Sequence, residues 1–134
     1  MPTNDWDARI KLLYPTDAGT FFTADTVRQD APFDVIANVE VGSRLHEFTD
    51  DYTLSVAVRN LTKSTTILSD KTTKKLPAAA GELNEELRTQ FGAGWGGKAD
   101  VGDVLEAIAS YTVSAGIHSD YSSATSQMFI VVTK

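Results

Sequence analysis

Two stretches of this sequence carry residue types whose spacing could do chemistry. In Gly92-Ala-Gly-Trp-Gly-Gly-Lys98 the spacing is Gly-x4-Gly-Lys, where backbone N–H groups of a glycine-rich loop cradle phosphate oxygens and the lysine meets their charge. The next residue is Ala99, where Ser or Thr should hold magnesium, and the stretch precedes a strand pattern instead of leaving a buried strand to open a helix. Nucleotide binding is therefore not expected. The same glycines let a backbone approach a partner closely, which makes Trp95 a candidate anchor on a loop. The competing reading is that its indole folds over an open edge of the core, because large aromatics are highly buried on average.

The second set combines imidazoles with carboxylates. His46, Glu47, Asp50 and Asp51 lie in one polar segment, and His118 and Asp120 in another. Such groups are ligands for Zn²⁺ or another divalent ion, but no ligand spacing such as His-x3-His or Asp-x-Asp-x-Asp-Gly is present. Ser119, Ser122 and Ser123 put hydroxyls near a histidine, with neither a nucleophile turn nor an identifiable orienting acid. No catalytic residue, no metal ligand and no cofactor is assigned from these patterns. The residues picked out for binding are Trp95, Phe22, His46, Asp51, His118, Asp120 and Tyr121.

Strands must position these groups. Ala8 to Tyr14, Phe33 to Val41 and Tyr52 to Val58 each alternate apolar with polar residues, the period of a half-buried strand. The longest alternation is Val104 to Ile117, in which Leu105, Ala107, Ala109, Tyr111, Val113, Ala115 and Ile117 share one apolar face. It reads as the central strand. Thr20 to Val27 and Thr65 to Ser69 are weaker strands, and Asp70 to Lys75 is an edge on which lysine discourages pairing with other molecules. Leu83, Leu87 and Phe91 stand at i, i+4 and i+8 among good helix formers, so 82–91 reads as a short helix, or as a strand with Glu85 pointing inward if the sandwich requires one there. Residues 118–125 read as a loop, followed by a closing strand over 126–133 that is apolar on both faces. Phe21 and Phe22 are adjacent and should point to opposite faces, one inward and one into an interface.

Composition narrows the function classes. The 134 residues carry a formal net charge of −6 that is spread along the chain, which argues against binding nucleic acid or an anionic membrane. There is no cysteine, so disulfides and thiol chemistry are excluded. Asn60-Leu-Thr62 matches the glycosylation pattern and is read as a turn. The N-terminal Met-Pro-Thr-Asn-Asp-Trp-Asp stretch lacks the basic head and apolar run of a signal peptide, so the cytoplasm is the expected location.

These elements describe an all-β fold: a two-layer antiparallel sandwich of about seven strands in a single domain, 1–134. The long penultimate strand turning back into a short final one resembles the immunoglobulin-like or fibronectin type III-like superfamily. Asp100-Val-Gly-Asp-Val104 has the Asp-x-Gly opening of a tyrosine corner, with Val104 where tyrosine would stand. The resemblance implies an architecture and no activity. In a sandwich of that topology, 43–51 and 118–125 lie at the same end and bring both histidines into one neighbourhood. The first functional expectation is a non-catalytic protein-interaction module presenting loops or a sheet edge. The second is a structural subunit of a homo-oligomeric assembly, built through Phe22 or the closing strand. The third is a metal-dependent hydrolase or carbohydrate-binding module at the His46, Asp51, His118 end.

Overall fold

The computed structural model describes residues 6–133. Those residues form nine strands: β1 (Ala8–Asp17), β2 (Thr26–Arg28), β3 (Phe33–Val41), β4 (Asp51–Asn60), β5 (Thr65–Lys75), β6 (Leu83–Phe91), β7 (Val104–Ala115), β8 (His118–Thr125) and β9 (Phe129–Val132). One turn of helix, α1 (Ser43–His46), and a 3-10 turn at Gly96–Lys98 complete the elements. One sheet has the order β1-β3-β6, and the other β2-β9-β7-β4-β5 with β8 also on β7. All pairings are antiparallel except that of β2 with β9. The two sheets enclose one apolar core to which Phe33, Val35, Val39 and Val41 of β3 and Leu54, Val56 and Val58 of β4 contribute.

β7 is the central strand that its alternation predicts. Leu105, Ala107, Ala109, Tyr111, Val113 and Ala115 all point into the core, while β4 takes one edge and β8 and β9 divide the other. Each large side chain removed from water in this way contributes about 1.5–3 kcal/mol. The sandwich is closed along one side by β1 and β8, whose backbones do not pair. Instead the N–H of Ala8 donates to Asp120 Oδ2 at 2.6 Å, and that of Ile10 to Ser122 Oγ at 3.0 Å. On the opposite side β5 and β6 are the outer strands of their sheets.

Several expectations are corrected. Residues 83–91 form a strand and not a helix, because the free edge of β3 needs a partner for its N–H and C=O groups. An i, i+4, i+8 spacing is also even, so it places Leu83, Leu87 and Phe91 on one face of a strand. Glu85 shares that face, and at the outer edge of the sheet it still reaches water. The segment 118–125 is a strand and not a loop. Ile117, which the alternation assigns to the apolar face of β7, stands fully exposed in a two-residue hairpin turn, with Gly116 at φ +64°. A glycine in the first central position is the signature of such a turn. The count of nine strands exceeds seven because 83–91 and 118–125 are the additional strands β6 and β8, while β2 and β9 correspond to the expected strands 20–27 and 126–133.

Phe21 and Phe22 are both exposed, so neither enters the core. They belong to the connection between β1 and β2, where the Arg88 guanidinium lies 4.5 Å over the Phe21 ring. Arg88 in turn is ion-paired with the buried Asp34.

Candidate functional site

Three connections and the start of β1 meet at one end of the sandwich. They are the stretch from β3 through α1 to β4, the β7–β8 hairpin, and the residues between β5 and β6. His46, Asp50, Asp51, His118 and Asp120 all lie at this end, but they do not form one cluster. His46 is buried, and its Nδ1 is 2.8 Å from the carbonyl oxygen of Gly81, which ties α1 to the residues before β6. Asp50 accepts the N–H of Gly116 on Oδ2 at 2.7 Å and so fixes the hairpin. Asp51 lies in β4 between Lys75 and Ser114, and Asp120 is occupied by the N–H of Ala8. Among the described residues no three His, Asp or Glu side chains come together to hold a metal ion.

What this end presents is apolar and aromatic. The rings of Trp6 and Phe48 are stacked, with centroids 6.1 Å apart and planes 3° from parallel. His118 meets the Trp6 ring edge-on at 6.1 Å. Ile117 stands beside them at the hairpin tip, and the four side chains border a shallow concavity of about 530 Å³. Exposed Asp50 also lines it and supplies charge at its border. Composition gave no reason to single out Trp6 or Phe48. The available signal was a large apolar ring inside a polar stretch, Glu47-Phe48-Thr49, whose neighbours offered no strand face on which to bury it.

The opposite end holds the glycine-rich stretch, and its backbone is already engaged. Asp30 Oδ1 accepts the N–H of Gly94 at 2.6 Å and that of Gly96 at 2.8 Å, so a side-chain carboxylate occupies donors that a phosphate loop would offer to its ligand. Trp95 is 1% exposed, meets Phe33 edge-on at 5.9 Å, and donates its Nε1–H to the carbonyl of Ala31 at 2.9 Å. It closes the core and is not presented as an anchor. Phe22 belongs to this end as well, since Asp17 at the end of β1 lies opposite Phe33. Tyr121 is exposed on β8, opposite Thr112.

A polar network supports this same end. Asn60 is fully buried. Its Nδ2 donates to Asp103 Oδ2 at 2.8 Å and to the carbonyl of Lys98 at 3.2 Å, so the amide of the Asn60-Leu-Thr62 pattern is engaged inside the fold. Asp103 also accepts the N–H of Asp100 at 2.9 Å, and Lys63 pairs with both carboxylates. The Asp100 N–H, then Asn60, then the Lys63 charge hold the Asp103 carboxyl below its ordinary range. In the core, burial pushes the Tyr111 hydroxyl well above the usual tyrosine value, with the charge of Glu85 adding to it. No protein-family model matches the chain, and comparison with curated proteins gives no match.

Proposed function

We propose that the protein is a non-catalytic interaction module of immunoglobulin-like or fibronectin type III-like architecture, which binds another protein through the end bearing Trp6, Phe48, Ile117 and His118. The strand order supports the architecture. Consecutive strands β3 and β4 cross from one sheet to the other, and the long β7 lies centrally with the final strands returning beside it.

The observation that carries the binding reading is Ile117. It is an isoleucine as exposed as in an open chain, held on a rigid hairpin beside a stacked Trp6–Phe48 pair. Single exposed apolar residues are ordinary, whereas a contiguous patch with a polar rim marks an interaction site. Covering Ile117 alone yields about 1.5–3 kcal/mol, and aromatic neighbours are the usual companions of such an anchor. The Asp50–Gly116 bond fixes the tip before binding, which lowers the ordering cost. The His46 to Asp120 groups act in this reading as supports for the patch.

The test is affinity capture from extracts of the source cells, comparing the wild type with an Ile117→Asp, Phe48→Ser variant shown to be folded by circular dichroism. The reading expects a protein that binds saturably to the wild type and is lost with the variant. Capture of the same proteins by both, or of none by either, counts against it.

A further inference from the structure

We propose that two copies of this chain associate about a twofold axis through β5 and β6, a surface separate from the patch at the α1 end. Both strands are outermost in their sheets among the described residues, and both flank the side of the sandwich opposite the β1–β8 closure. Each is long, 11 residues for β5 and 9 for β6, and leaves one row of backbone N–H and C=O groups without a strand partner.

Charge selects among the ways these edges could pair. β5 carries Lys71, Lys74 and Lys75 with Asp70, whereas β6 and the residue before it carry Glu82, Glu85 and Glu86 with Arg88, which is already paired to Asp34. These lysines and glutamates are exposed and form no ion pair among the described residues. Pairing β5 with a second β5 sets lysines against lysines, and pairing β6 with a second β6 sets glutamates against glutamates. Only β5 against β6 of the other copy brings opposite charges together.

The geometry then closes. β5 runs toward the α1 end and β6 runs away from it, as their registers with β4 and β3 require. A twofold rotation about an axis parallel to the strands therefore lays β5 of each copy antiparallel to β6 of the other, at the same height and at two equivalent seams. Lys71 and Lys75 are spaced like Glu82 and Glu86, so one register puts Lys71 opposite Glu86 and Lys75 opposite Glu82. The inward-facing members, Lys74 and Glu85, enter the shared interior with opposite charges. The interface is self-complementary and uses up both free edges, which limits assembly to a dimer.

The experiment is sedimentation velocity over a concentration series at low and high salt. The wild type is expected to approach twice the chain mass at low salt and to dissociate as salt is raised. Lys71→Glu with Lys75→Glu, and separately Glu82→Lys with Glu86→Lys, are each expected to be monomeric. Mixed in equal amounts, these two variants are expected to form a heterodimer, since one seam then joins the two reversed edges and the other the two unaltered ones, each with opposite charges facing. Recovery on mixing also shows that both variants are folded. A wild type that stays monomeric, a dimer that survives either reversal, a mixture that stays monomeric, or a polymer that grows beyond two copies overturns the proposal.

Discussion

Asp30 Oδ1 lies 2.8 Å from the backbone nitrogen of Gly96, and the Cβ that any other residue would add at position 96 falls 2.8 Å from the Cβ of Asp30. The glycine-rich stretch is thus shaped to receive a carboxylate of its own chain. Gly96→Ala should destabilise the protein by about 1–3 kcal/mol, because Asp30 is held at φ +65° and its Cβ has no flexible end to move aside. Urea unfolding of the variant measures this, and magnesium with ATP should leave the midpoint of the wild type unchanged.

Asp103 gives the fold a defined acid sensitivity. Its folded pKa is lowered, so its contribution is complete above the unfolded value of about 4 and is lost as pH falls through the folded one. Asp103→Asn should therefore be less stable than the wild type at neutral pH and approach it on acidification. Thermal unfolding of both proteins between neutral and acid pH reads the convergence.

The two tryptophans should report separately on the two ends. Trp95 is buried and Trp6 is 43% exposed, so iodide should quench one emission component and leave a blue-shifted one. Trp95→Phe should remove the protected component, and Trp95→Ala should cost about 3–5 kcal/mol in unfolding free energy as a large core aromatic.

Tyr111 is fully buried, and its hydroxyl has no hydrogen-bond partner among the described residues. Tyr111→Phe removes an unpaired polar atom without changing the ring, and should be neutral or stabilising by up to about 1 kcal/mol in denaturant unfolding.

Where burial is one-sided, the sequence is easy to read. β7 and β4 carry a clean alternation, so their inward faces were legible residue by residue. β6 is ambiguous in sequence because even spacing satisfies a helix and a strand alike, and the open edge of β3, which local sequence does not encode, makes it a strand. β8 carries too few apolar residues to alternate, and it forms because β7 needs pairing along its length. At the candidate site, the location of His46, Asp50 and His118 at one end follows from topology, although each has a separate partner and the three do not meet. The position of Trp6 does not, because its stacking on Phe48 joins residues remote in sequence.

The central claim, that the Trp6, Phe48, Ile117, His118 end binds another protein, is tested most directly by site-specific photo-crosslinking. A photoreactive phenylalanine analogue is placed at Ile117, and in a control at Leu61, which is exposed at the other end of β4. Irradiation in extracts of the source cells should yield one discrete adduct with another protein from position 117 and none from position 61. No adduct from 117, an adduct of the chain with itself, or the same adducts from both positions would contradict the account.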